Sequence, residues 1–271
     1  MKIKLKLNDG NEIPLLGLGV FKSPSGKITY ETCLEALRMG YRHIDTAAVY
    51  GNEADVGRAV RDCGIARGEI FVTTKLWNSD QGHESGLKAF DLSLQRLGLD
   101  YVDLYLIHWP VEFLRHDSWR ALCEIVASRR ARSIGVSNFT VRHLKELGER
   151  SGVVPAVNQV EFHPFLFQRE LLEYCRGRGI QLEAYSPLTK GDRLNDETVL
   201  EIAKKYGKTG AQILIRWCLQ HEVVCIPKSV KTARLRENFS VFDFEISTED
   251  MARLDSLNEN YRTSWDPSGV E

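Results

Sequence analysis

Eight short apolar runs, each parted from the next by a stretch with helical spacing, set the strongest limit on what this chain can fold into. The runs cover 17–21, 43–47, 70–76, 102–109, 132–138, 156–162, 181–187 and 223–228. Between them lie 30–39, 53–62, 83–97, 118–127, 141–150, 168–178 and 198–217, whose apolar residues recur at helical intervals. In the first of these, Cys33, Leu34, Ala36 and Leu37 fall on one side, and Glu31, Glu35 and Arg38 on the other. Strict alternation of strand and helix implies a parallel sheet with right-handed crossovers. Eight such units predict an α/β fold closed as a (β/α)8 TIM barrel rather than an open sheet. The chain of 271 residues is close to the size of such a barrel and reads as one domain over 1–271, with no linker, low-complexity run or repeat. Ahead of the barrel, alternating Lys and Ile or Leu over 3–7, followed by Asp9-Gly10, predict a β-hairpin. The interval between the seventh and eighth runs, the longest, has room for two helices, 198–206 and 211–219, parted by Gly207 and Gly210, and extra helices are expected near the C-terminus.

Composition narrows the partners. The formal net charge is −1, so bulk attraction to nucleic acid or to an anionic membrane is not expected, and any phosphate-binding cluster must be local. No apolar run is long enough to span a bilayer, and none follows the N-terminus as a secretory signal would require, so a cytoplasmic location is expected. The six cysteines (Cys33, Cys63, Cys123, Cys175, Cys218, Cys225) contain no CxxC pair and read as reduced, mostly buried thiols. The sequons at Asn138 and Asn238 read as chance matches.

A barrel of this kind places its chemistry at the C-terminal ends of the strands. The second, third and fourth runs bring Asp45 with Tyr50, Lys75, and His108 to those ends. A buried Lys and a buried Asp are costly alone and tolerable as a pair. A lysine near a phenol favours the phenolate, so Lys75 is expected to lower the Tyr50 pKa and make it a usable acid, with Asp45 holding Lys75 in place. Taken singly, each residue has a plain alternative: a strand-end lysine that snorkels, a satisfied core histidine, an incidental tyrosine. Four on successive strand ends point to a site.

Around them run Gly17-Leu18-Gly19, Tyr41-Arg42-His43-Ile44-Asp45-Thr46-Ala47, Leu106-Ile107-His108-Trp109-Pro110, Ile134-Gly135-Val136-Ser137-Asn138-Phe139, Asn158-Gln159-Val160-Glu161-Phe162-His163-Pro164, Tyr185-Ser186-Pro187-Leu188 and Ile226-Pro227-Lys228-Ser229. In these stretches, and in their order, the chain resembles the aldo-keto reductases from about Ile13 to Trp265. Its short loops are most similar to the bacterial 2,5-diketogluconate reductase and trypanosomatid prostaglandin F synthase branches. The resemblance implies NADPH-dependent reduction of aldehydes and ketones. Asp45, Tyr50, Lys75 and His108 match the family's catalytic tetrad, with Tyr50 as proton donor and His108 orienting the carbonyl. Ser137, Asn138 and Gln159 match the side chains that hold the cofactor carboxamide, Tyr185 the ring that stacks on the nicotinamide, and Ser186 and Leu188 residues along the pyrophosphate. Lys228, Ser229 and Arg234, with Val230 between them, match the 2′-phosphate grip, and Glu237 and Asn238 the adenine contacts. Arg suits a phosphate through its planar fork. A solvated basic helix start would look the same, since Lys231 and Arg236 lie close by.

Phe21, Trp77 and Trp109 match residues lining the carbonyl site, though each also reads as core, Phe21 most of all. The family often has tryptophan where Phe21 stands. The short loop 189–193 and the short tail 260–271 imply an open site for small or polar carbonyl compounds. Gly17-Leu18-Gly19 lacks the third glycine of a Rossmann fingerprint and reads instead as close packing at the first strand. A metal-dependent hydrolase built on His43, Asp45, His108 and His163 is the competing enzyme reading, and it leaves Lys75 and Tyr50 without a task; no metal is expected. A regulatory, non-catalytic relative is the other alternative. The family's common form implies a monomer.

Overall fold

A computed structural model of the chain describes residues 3–270, so Met1, Lys2 and Glu271, at the ends of the expected 1–271 span, lie outside the described residues. The chain opens with an antiparallel hairpin, β1 (Lys4–Lys6) and β2 (Glu12–Pro14), in which Leu5 faces Ile13. Its turn needs the left-handed backbone that Gly10 supplies at φ 91°. The Asn8 and Asn11 amides donate to Pro155 O and Arg132 O, so the hairpin covers the N-terminal end of the barrel.

The eight strands that follow are β3 (Leu18–Gly19), β4 (His43–Asp45), β5 (Phe71–Leu76), β6 (Val102–Ile107), β7 (Ala131–Ser137), β8 (Val157–Glu161), β9 (Gln181–Tyr185) and β10 (Val224–Cys225). Their helices are α1 (Lys27–Met39), α2 (Glu53–Asp62), α3 (His83–Leu97), α4 (Arg115–Ala127), α5 (Val141–Ser151), α6 (Arg169–Gly177), α7 (Glu197–Tyr206) and α8 (Gly210–Gln220), followed by α9 (Thr232–Phe239) and α10 (Thr248–Asp255). The strands pair in parallel and in chain order. Leu16 bridges Cys225, and the Cys225 and Gly17 amides donate to Leu15 O and Cys225 O at 3.0 and 2.9 Å, which closes the sheet into a barrel.

The first-strand glycines do pack closely. A Cβ on Gly17 would lie 2.7 Å from His43 Nδ1, and one on Gly19 2.9 Å from Ile226 O. The stretch between β9 and β10 divides into two helices as expected. Gly207, at φ 63°, ends α7, and the Thr209–Gln212 capping box starts α8. Several strands are shorter than the apolar runs. The run 102–109 pairs as β6 only to Ile107, and the run 43–47 as β4 only to Asp45. The chain leaves the ladder there to enter the loops that form the barrel's mouth. No helix among the described residues is long and apolar enough to cross a membrane.

Candidate active site

Two neighbouring strands and two turns bring the four expected catalytic residues together. Lys75 on β5 is fully buried. Its Nζ donates to Asp45 Oδ1 and Oδ2 at 2.7 and 2.8 Å and to Thr46 O at 2.9 Å. Three acceptors on one ammonium meet the condition under which a buried charge is tolerated. Tyr50 sits on a single turn of 3-10 helix, Ala48–Tyr50, which places its hydroxyl 3.5 Å from the same Nζ. That turn is pinned by Asn52, which sequence reasoning passed over. Asn52 accepts from Thr46 Oγ1 at 2.7 Å and donates to Val20 O at 3.0 Å. His108 stands one residue beyond β6, with its ring edge-on to Tyr50 and to Trp77, centroids 5.7 and 5.1 Å away.

The electrostatics correct one expectation. The Tyr50 pKa is not lowered but pushed well above 10, first by burial, then by the negative charges of Asp45 and Glu183. Lys75 does not offset this, because its charge is already engaged by Asp45 and its contact with the phenol is long. Burial raises the Asp45 carboxyl, while Lys75 and Gln159 pull it back. Burial and the nearby Lys75 ammonium hold His108 well below its ordinary range, so the ring is neutral; its Nδ1 is buried with no partner among the described residues.

The residues expected on the nicotinamide side form one network. Asn138, at φ 64°, donates through Nδ2 to His108 O at 2.9 Å and accepts from the Tyr185 hydroxyl at 2.8 Å. Ser137 Oγ donates to Gln159 O at 2.8 Å. Gln159 Nε2 donates to Asp45 Oδ2 at 2.8 Å and to Glu183 Oε2 at 3.0 Å. Glu183, fully buried on β9, was absent from the sequence reading. Its signal was visible as an acid in the middle of an apolar strand.

After Tyr185 the backbone turns sharply. Ser186, Thr189 and Lys190 all hold positive φ (49°, 51° and 54°), strain of a kind that clusters at functional loops. Leu188 begins this short helical turn. The turn is tied to the tail: Lys190 Nζ donates to Thr263 O, Arg193 pairs with Glu259 at 2.6 Å, and the Tyr261 hydroxyl donates to Asp192 at 2.9 Å. The buried Glu161 accepts from Thr263 N and Ser264 N at 2.7 and 3.0 Å. The loop is therefore short but clasped.

The residues expected on the 2′-phosphate lie apart from this network, at the start of α9. Lys228, Arg234 and the neighbouring Lys231 are exposed, and none of the three takes part in an ion pair among the described residues. Ser229 is buried and its Oγ accepts from the Lys231 amide at 3.1 Å, while Val230 is 38% exposed. Partial burial lowers the Lys228 pKa. Glu237 is already held, accepting from Thr209 Oγ1 at 2.7 Å, and Asn238 is buried on the same helix.

Aromatic side chains wall the mouth. Phe21 is 47% exposed and its ring lies 5.0 Å from that of Tyr50, which removes the core alternative for it. Trp109 packs against Trp265 of the tail at 4.9 Å, a partner the sequence reading did not single out. The metal-hydrolase reading finds no support. Asp45 is taken by Lys75, His43 meets Thr73 at 3.0 Å, His163 meets Glu161 at 3.2 Å, and no cluster among the described residues could hold a metal. The six cysteines are unpaired and four are buried. The mouth thus sets a protonated phenol and a neutral imidazole over a buried ion pair. That arrangement can supply a proton to an oxygen bound between the rings.

Comparison with known proteins gives a consistent picture. Residues 16–259 match the model of the aldo/keto reductase family. The chain is 52% identical over 267 residues to the glyoxal reductase of Bacillus subtilis, covering 98% of this chain and 97% of that protein. It is 42% identical to the methylglyoxal reductase DkgA of Escherichia coli, over 97% of this chain and 96% of that one. Among solved structures it superposes with a TM-score of 0.94 on a mutant of Gox0644 in complex with NADPH, at 41% identity, covering 100% of this chain and 99% of that one.

Proposed function

The chain belongs to the aldo/keto reductase family, and from that premise we propose that it reduces small aldehydes and ketones with NADPH, with Tyr50 as the proton donor. The observation that carries the reading is the geometry at one point. The Tyr50 hydroxyl stands beside the Lys75–Asp45 pair and edge-on to a neutral His108, within a mouth walled by Phe21, Trp77 and Trp109. A phenol kept protonated by burial carries the proton that a developing alkoxide needs. His108, neutral by burial, donates a hydrogen bond to the carbonyl oxygen and orients it.

The chain's side chains fit a nicotinamide dinucleotide phosphate. Gln159 commits its amide nitrogen to Asp45 and Glu183, which leaves its carbonyl oxygen as an acceptor for the carboxamide. Ser137, Asn138 and Tyr185 belong to the same network. Ser186 and Leu188 would flank the pyrophosphate on the strained turn. The exposed Lys228 and Arg234 at the start of α9, without an ion pair among the described residues and with Ser229 and Val230 between them, suit a 2′-phosphate. Glu237 and Asn238 lie further along that helix toward where an adenine would rest. When bound, the cofactor supplies the hydride; the protein supplies placement and electrostatics. The names of the relatives, glyoxal and methylglyoxal reductases, favour small dicarbonyl compounds as substrates here. We read the working unit as a monomer with a single domain.

The direct test follows NADPH oxidation by absorbance with methylglyoxal and with nitrobenzaldehyde. Turnover with either supports the reading. NADPH binding without turnover across a panel of aldehydes, sugar ketones and quinones would leave a binding protein in place of a reductase.

A further inference from the structure

Beneath the tetrad lies a carboxyl to which the proposed reaction gives no task. Glu183 on β9 pairs in register with Gln159 on β8, and its side chain has no exposure to solvent. One amide nitrogen, Gln159 Nε2, serves both Glu183 Oε2 at 3.0 Å and Asp45 Oδ2 at 2.8 Å. Two buried carboxyls thus share that amide and a single ammonium, and the ammonium is bonded to Asp45. The second oxygen of Glu183, Oε1, has no hydrogen-bond partner among the described residues. His43 Nε2 approaches it only to 3.6 Å, too far for a hydrogen bond. His43 also carries no charge, its pKa being pushed down to about 3 by burial and by Lys75. Among the described residues the other titratable groups that act on Glu183 or feel its charge are Lys75, whose charge pulls its pKa down but whose bonds go to Asp45, and Asp45, Tyr50 and Cys225, which are not cations. A second bare carboxylate there would be a buried charge with one oxygen lacking any donor, among the costliest arrangements in a protein interior. A proton on the group removes that charge.

We propose that Glu183 is a positioning residue that works as the neutral acid, fixing the Gln159 amide from below and leaving the Lys75 charge to Asp45. This rests on the reading of the chain as an NADPH-dependent carbonyl reductase. Burial and the Asp45 charge push the Glu183 pKa up to about 8. Above that value its proton leaves to solvent, and the new negative charge under Asp45 raises the Tyr50 phenol further and weakens it as an acid.

The experiment uses the full-length chain with NADPH, the parent beside Glu183→Gln and Glu183→Leu. Gln keeps an acceptor for Gln159 but cannot ionise; Leu removes the acceptor. The parent kcat/KM for reduction is expected to fall about tenfold from about pH 7 to about pH 9.5, and the Gln variant to lose most of that fall. The Leu variant is expected to bind NADPH about tenfold more weakly, read from quenching of tryptophan fluorescence. An infrared difference spectrum of parent minus Glu183→Gln, without cofactor, is expected to show the carbonyl band of a neutral carboxylic acid at about pH 7 and its loss at about pH 9.5. An unchanged alkaline limb in Glu183→Gln, or no acid band in the difference spectrum, overturns the inference. A parent that oxidises no NADPH with any carbonyl overturns the functional reading instead, and the infrared band still decides the protonation of Glu183.

Discussion

The floor of the barrel mouth and the start of α9 both gather charged side chains, but they are built on opposite terms. On the floor, Lys75 is fully buried and each of its contacts is already made, to Asp45, Thr46 and Tyr50. At α9, Lys228, Lys231 and Arg234 stand exposed with no ion pair among the described residues. The floor is organised before any ligand arrives, which is how electrostatic stabilisation acts without reorganisation during a reaction. The cationic edge does little for the fold itself. Its charge is available for an anion, and is screened by salt. Loss of a floor residue should therefore damage chemistry or stability, and loss of an edge residue should damage only affinity.

Four measurements press on that contrast, three substitutions in falling order of effect and one titration. Tyr50→Phe removes the hydroxyl proposed as the proton donor and is expected to lower kcat by a factor of about 10²–10⁴ while the NADPH dissociation constant stays near the parental value. A variant that turned over at the parental rate would move the acid elsewhere. Lys75→Met leaves Asp45 buried without its cation and should destabilise the fold by about 3–5 kcal/mol in urea unfolding. If it cost no more than Lys231→Ala, the floor would not be the structural element described above. Arg234→Ala should raise the KM for NADPH about tenfold and the KM for NADH hardly at all, with kcat and the urea midpoint unchanged. Equal effects on both cofactors would remove the phosphate assignment.

The fourth measurement concerns acid. The folded-state pKa of His43 is depressed to about 3, against 6.5 in the unfolded chain. The unfolded state therefore binds the extra proton first, and stability present above about pH 6.5 is lost as pH falls through the window toward about 3. His43 should contribute a loss of up to about 1.4 kcal/mol per pH unit there. His108, also depressed, works in the same direction. Melting temperatures recorded from about pH 7.5 to about pH 5 should show the decline, with a shallower slope in His43→Gln. A slope unchanged by that substitution would mean that His43 does not titrate on unfolding as its burial requires.

Much of the architecture was legible in the residue pattern, because each strand and helix announces itself locally. The extents 53–62 and 83–97 coincide with α2 and α3, since apolar spacing and the flanking turn residues mark both ends of each. Gly207 and Thr209 likewise announce the break between α7 and α8. Asp45, Lys75 and His108 could be placed at strand ends by the same logic. What escaped were relations across the barrel. Asn52 matters only because it reaches back to Val20, and Glu183 only because β8 brings Gln159 between it and Asp45. Trp265 counts only because the tail folds over Trp109. Phe21, matched to the carbonyl site by resemblance with a core reading beside it, stands half exposed next to Tyr50, two residues past the end of β3 at Gly19.

Tyr50 shows where the division falls. Its place after the second strand, and its neighbours Asp45 and Lys75, are written in the sequence, for they follow from hydrophobic periodicity and barrel geometry alone. The sign of its pKa shift is not. A lysine nearby argues for a lower value, yet the folded chain commits that lysine to Asp45 and sets the phenol in a site where burial and two carboxyls dominate. Periodicity is a property of short segments and survives in the linear text. Desolvation and Coulomb energy depend on which groups from distant segments surround a charge, and only the closed barrel decides that.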